Sequence, residues 1–486
     1  MKRFLWLGCA LFLCFVWCGC GDTFRPIIIP NPPVFPNPAA AHTVVAINDN
    51  GSVVPGSAMV VDVSGDADVS VKDVDIHPVH AVQQTANQVL VVNQAVTGLN
   101  VPTTSCLVSF PPQVYNVCPS ITKLNFSGIV ISSTSAITLP IYSGSNFVAV
   151  APADTLAYVT MPTYPPDPTQ PQNIVPSVGV VNTQSNNLFA TIKVGNNPVA
   201  LAVTPDKSKL YVANHDSNSV SGFNTVDRSA RTVDGSFNAP LWVTARSDSQ
   251  RVYVLNGNSG NAFLSTIDTT STAGPDAVIG TIDSSVVPPL AASMLYDGNQ
   301  NRLYIPGDSQ LTMLDVSQSL PQPLGGSPIT IATVPPGSRL ASDPCSTTSA
   351  QQLTVAAVAA LPDGSRAYVG AFYEDASGNL CPQVTVIDVA SNTVKPPIAV
   401  PGFIAFDAFC APAQSQQTAR FRIMMAAGGD STRVYLSSCD GGMVNIIDTS
   451  SDTYILNLPA PVGTRQTIPP SPQNLPQSPV FLFAGP

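Results

Sequence analysis

The stretch KLYVANHDSNSVSGFNTVDRS, residues 209–229, decides the fold. Leu210, Tyr211 and Val212 are β-formers with no helical spacing. Asn214-His215-Asp216 is turn chemistry, and an extended run resumes at Val220. Immediately upstream, NPVALAVTPDKS (197–208) supplies an apolar strand and a Thr-Pro-Asp turn, and ATIKVG (190–195) typifies a fourth strand. The unit reads as a four-stranded antiparallel meander.

The unit recurs along the chain. Its tyrosine strand returns around Tyr158, Tyr211, Tyr253, Tyr304, Tyr368 and Tyr435, and two degenerate copies, TVVAIN (43–48) and QVLVVN (88–93), bring the count to eight. The third strand returns ending in Asp62, Asn182, Asn224, Asp268, Asp315, Asp388 and Asp448. An Asp or Asn at a strand end bonds the backbone of the following turn, so these side chains read as turn structure and not as acid–base machinery. The first strand returns as HPVHAV (77–82), NPVALAV (197–203) and APLWVTA (239–245), all sharing a proline.

Such units cannot bury their own faces and must stack; four-stranded units stack radially. The expected fold is all-β: a single β-propeller over residues 42–486, of four-stranded antiparallel blades. Eight blades are favoured, and seven follow if residues 76–150 are an insertion. SPVFLFA (478–484) matches a first strand with no blade after it, whereas TVVAIN lacks a first strand before it. The C-terminal strand is therefore expected to complete blade one and close the ring, covering two sheet edges. Residues 43–484 divided among eight blades give about 55 each, against about 40–45 in compact repeats. The surplus is assigned to loops at 160–176, 320–350, 370–383 and 409–420.

Composition sets the environment. The chain has 486 residues, of which only 10% are charged and 47 are proline, with a formal net charge of −10. A typical soluble domain is about 25% charged. The surface must then be built from Ser, Thr, Asn, Gln and Pro, which suits an extracytoplasmic β protein. No basic cluster exists, which excludes a nucleic-acid partner.

Residues 1–19 read as a signal peptide: Lys2 and Arg3 precede a run, Phe4–Cys18, shorter than the ~20 residues needed to span a bilayer. The end of that run, WCGC, resembles a bacterial lipobox, with Gly19 before Cys20 and Trp17 where Leu is usual. The resemblance implies diacylation of Cys20, with membrane attachment through its acyl chains. Gly21 follows the cysteine, so no Asp retains the protein at an inner membrane; the expected location is the outer membrane, facing periplasm or cell surface. Residues 20–41 are the lipidated Cys and a Pro-rich tether, of which 21–41 reach at most roughly 65 Å at about 3.1 Å per residue. Six cysteines remain: Cys106, Cys118, Cys345, Cys381, Cys410 and Cys439. They allow 15 pairings; chain proximity favours 106–118, 345–381 and 410–439, each contributing on the order of 3 kcal/mol.

LYVAN (210–214) and PDGSRAYV (362–369) resemble the YVTN family of β-propellers, across nearly all of 43–484. The resemblance implies the propeller fold and a bacterial lipoprotein version of it, and is a poor guide to function. Only four histidines occur: His42, His77, His80 and His215. HPVH (77–80) aligns with NPVA (197–200), so His77 and His80 are substitutions within the repeat, and two ligands fall short of a zinc site. His215 is read as a solvated turn residue. The acidic stretch 64–75 lacks EF-hand spacing and is read as hairpin turns. Trp242 is placed in the core on an inner strand. No metal, cofactor or catalytic residue is nominated, and a monomer is expected. The favoured function is a non-enzymatic binding or scaffold protein of the cell envelope, taking a protein, peptide or glycan. The alternatives are a lactonase-like or other hydrolase with its site at the channel mouth, and a passive surface-layer component.

Overall fold

The computed structural model describes residues 42–485 except 52–53, 95–105, 111–112, 117, 258–260, 273, 332, 335–338, 340–342, 344, 348, 376–379, 401–409, 411–421 and 464–474. The leader, Cys20 and the Pro-rich segment lie outside the described residues. What is described is all-β, and its principal sheets are the eight four-stranded antiparallel blades of a β-propeller, numbered in chain order: blade 1 over 43–76 with the closing strand 478–484, then 78–138, 148–193, 198–231, 240–282, 295–330, 354–399 and 423–459. Blade 4 shows the plan: Pro198–Val203 innermost, then Lys209–Asn214, Ser219–Asn224 and the short Ala230–Arg231. Successive strands are neighbours because each is joined to the next by a tight turn.

Blade 2 rules out the seven-bladed arrangement. Residues 76–150 contain a complete blade, Pro78–Thr85, Gln88–Asn93, Ser120–Ser127 and Val130–Thr138, into which the small ribbon Leu107–Phe110 and Gln113–Asn116 is inserted. The stretch 370–383, expected as a loop, is mostly strand. Arg366–Glu374 and Leu380–Asp388 pair in unbroken register from Arg366↔Asp388 to Glu374↔Leu380. The hairpin extends this far because Tyr373, Leu380 and Cys381 are buried beyond the end of the usual repeat. The acidic stretch 64–75 is likewise mainly strand, the outer edge of blade 1 (Ala67–Ile76), and only its first residues form a turn.

Ring closure follows the expected route. Ser478–Ala484 lies antiparallel to Thr43–Asp49, from Val44↔Ala484 to Asp49↔Ser478, and becomes the innermost strand of blade 1. Val480 and Leu482 are buried, and Ser57 Oγ donates to Gln477 Oε1 at 2.6 Å across the seam. The core lies between blades. One cluster joins Phe147, Tyr158 and Val178 of blade 3 to Leu201 and Tyr211 of blade 4 and Val243 and Val254 of blade 5.

The Asp and Asn residues that end the third strands cap turns in six of the seven repeats. Backbone N–H groups of Ser64, Gln184, Thr270, Ser317, Ser391 and Ser450 donate to Asp62, Asn182, Asp268, Asp315, Asp388 and Asp448 at 2.8–3.0 Å. Asn224 is the exception. There Asp227 takes the Ser229 N–H at 2.9 Å, and Asn224 instead donates to Ser229 Oγ and accepts from Arg231.

A basic residue two positions before the repeat tyrosine ties each of several blades to the next. Lys209 of blade 4 donates to Asp276 of blade 5 at 2.9 Å, joined there by Tyr211 Oη at 2.7 Å and Arg231 Nε at 3.0 Å. Arg366 of blade 7 reaches Asp452 of blade 8 at 2.7 Å, with Tyr368 Oη at 2.6 Å. Arg433 of blade 8 crosses the ring seam to Asp66 of blade 1 at 2.9 Å while also holding Asp448 of its own blade at 2.8 Å. Burial alone would raise the Asp276 pKa, but bonds from Arg231, Lys209 and Tyr211 outweigh it and hold the carboxyl below its ordinary range.

Candidate functional site

Strand direction sorts the connections into two faces. First-to-second and third-to-fourth strand connections, such as 204–208, 225–229, 246–250, 316–321, 389–392 and 449–452, are short and lie on one face. The opposite face receives 94–119, 162–176, 283–294, 331–353, 400–422 and 460–477. Three disulfides sit at this long-loop face. Cys106–Cys118 closes within 94–119, Cys345–Cys381 ties 331–353 to the third strand of blade 7, and Cys410–Cys439 ties 400–422 to blade 8. Arg339 reinforces the second of these: its guanidinium, nearly buried, donates to the Val400 carbonyl at 3.1 Å and the Pro382 carbonyl at 2.5 Å, and pairs with Asp343 at 3.1 Å. Cys345–Cys381 and Cys410–Cys439 each fix one point of a long connection to the blade beneath.

Beneath these loops the inner strands form the hub. Their register is set by a repeated local geometry. His77, Asn197 and Ala239, each preceding a proline, adopt left-handed φ values of 56°, 51° and 44°. Their carbonyls accept the N–H groups of Gln94, His215 and Gly257 at 2.9–3.1 Å. One residue then bulges out of register after each proline. The next side chain therefore falls at one level in every blade that shares the pattern: Phe481 opposite Ile47, His80 opposite Val92, Ala200 opposite Ala213 and Trp242 opposite Leu255. Phe147, bonded to Thr160, occupies that level in blade 3, and Ala357 and Met424 do so in blades 7 and 8.

Four aromatic rings thus converge. His80 stacks on Phe147 with centroids 3.9 Å apart, Phe481 tilts against His80 at 4.6 Å, and Trp242 meets Phe147 edge-on at 5.4 Å. The small Ala200 in blade 4 leaves room for that contact between rings of blades 3 and 5. His80 accepts from the Val148 N–H at 3.4 Å, and burial drives its pKa down to about 3. Burial thus holds the imidazole in its neutral form. Apart from Asp297, whose carboxyl burial pushes up and which accepts from Asn299 at 3.0 Å, the inner strands carry no Asp, Glu, Lys or Arg. Asp297 apart, the hub is walled by uncharged and mostly apolar side chains.

The remaining histidines are placed separately. His77 Nδ1 lies 3.0 Å from Asp49 Oδ2 in a buried pair between blades 1 and 2. His215, expected in solvent, keeps 20% of its side-chain exposure and pairs with Asp216 at 2.6 Å, while His42 is exposed at the start of the ring. Among the described residues no three metal-ligating side chains come together, and no helix is long and apolar enough to cross a membrane. A small cleft on the long-loop face between blades 7 and 8 is lined by Phe372, Leu380, Ile423 and Ser438 and by Arg422, which sits 3.5 Å from Asp440. Two features escaped the sequence: the common level of the hub rings and the grouping of long loops on one face. The shared Pro-x pair immediately before Phe481, His80, Ala200 and Trp242 was the available signal for the first.

No protein-family model matches the chain, and no curated protein matches it. Among solved structures it is similar to hydrazine synthase of Kuenenia stuttgartiensis, at 14% identity over 67% of this chain and 89% of that one, with a TM-score of 0.43. It is also similar to a functionally unknown protein from Desulfotomaculum acetoxidans, at 10% identity, 86% and 95% coverage and a TM-score of 0.46. A third is U3-55K, at 9% identity, 66% and 83% coverage and a TM-score of 0.40.

Proposed function

We propose that this protein is a lipid-anchored, extracytoplasmic propeller of the YVTN type, acting as a non-enzymatic binding or scaffold protein of the bacterial cell envelope. Its long-loop face engages a protein, peptide or glycan. The observation that carries this reading is that the longest connections leave and re-enter the strands at one face, where all three disulfides sit, over inner strands whose one charged residue is Asp297. Disulfides support an oxidising compartment. The lipobox-like WCGC and the Pro-rich 20–41 support anchoring at Cys20.

The test compares affinity enrichment from envelope extracts by the intact protein and by a variant whose loop tip 165–174 is replaced with a two-residue hairpin turn. The hydrogen bonds of that tip run within it, and the Val175 N–H donates to the Tyr164 carbonyl at 2.8 Å at its base, so the replacement leaves Tyr164, Val175 and the flanking strands in place. A defined partner retained by the intact protein and lost or weakened by the variant supports the reading. Enrichment of nothing, or of the same partner by both with equal affinity, counts against it.

A further inference from the structure

We draw no further inference here: the strongest candidate, the cluster of Asp297, Arg302 and Tyr304 in blade 6, whose Oδ2, Nη1 and Oη atoms are buried without hydrogen-bond partners, sets one carboxylate beside its one guanidinium and so calls for no ligand of either charge.

Discussion

Replacing Leu482 by Ala tests whether the closing strand holds the whole ring. Leu482 is 2% exposed, lies opposite Ala46, and packs among Val44, Met59, Val61, Tyr435, Val444 and Ile446 of blades 1 and 8. Removing a buried leucine side chain to Ala costs about 2–5 kcal/mol, depending on how far the site collapses. With an m-value of about 3 kcal/mol per M urea, suited to a chain of this size, the unfolding midpoint falls by about 1 M. The reporter is built in: Trp6 and Trp17 precede residue 20, so Trp242 is the sole tryptophan from residue 20 onward. It sits in blade 5, far round the ring from the substitution, against Phe147. The Trp242 fluorescence transition should shift by that amount, coincide with loss of far-ultraviolet circular dichroism, and keep its slope. Val462→Ala, at a residue 71% exposed, should move it by less than about 0.5 kcal/mol. A Trp242 midpoint unchanged in Leu482→Ala would refute the reasoning, because blade 1 would then fray without opening the hub.

Other outcomes follow from the latches and the buried rings. Arg433→Met leaves Asp66 and Asp448 facing each other's charge without their cation and should cost about 3 kcal/mol in urea denaturation; Arg228→Met, away from the seam latch, should cost less than about 1. His80 has a pKa lowered to about 3, below that of the unfolded chain, so its contribution is complete above the unfolded value near 6.5 and fades as pH falls toward 3. Imidazole carbon chemical shifts should show it neutral at pH 5, and a titration midpoint above about 5.5 would contradict the buried stack. Tyr158 and Tyr253 are both pushed up to about 12, chiefly by burial. Their contribution is full below the unfolded value near 10 and is lost as pH rises through 12. Absorbance at 295 nm should therefore show phenols that ionise at pH 11 only on adding denaturant, and full ionisation of the native protein at that pH would be the contrary result.

Much of the architecture was legible in the chain because the repeat is written in local chemistry. The tyrosine strands, the Asx caps after Asp268 or Asp388, and the orphan strand at 478–484 each declare themselves within a few residues. Blade 2 was harder, since Leu90 replaces the tyrosine and the ribbon at 107–116 separates its second and third strands. What stayed hidden depends on partners brought together by the ring. A Lys or Arg stands two residues before Tyr at 209, 251, 302, 366 and 433, yet the next-blade carboxylates that three of them meet, Asp276 for Lys209, Asp452 for Arg366 and Asp66 for Arg433, carry no sequence mark of the pairing. The strand extension through Tyr373 and Cys381 was hidden likewise, because the buried surface that favours it is supplied by the loop around Cys345. The hub shows the same limit: HPVH could be aligned with NPVA, but only the shared bulge puts His80 level with Phe147 and Phe481.

The central claim is that the last strand is an integral inner strand of the ring. Hydrogen exchange read at peptide resolution tests it most directly, comparing residues 478–484 with Pro198–Val203, the strand in the same position of blade 4. Protection within the same decade is expected for both segments, lost together on denaturation. Exchange of 478–484 within seconds, while 198–203 stays protected, would contradict it.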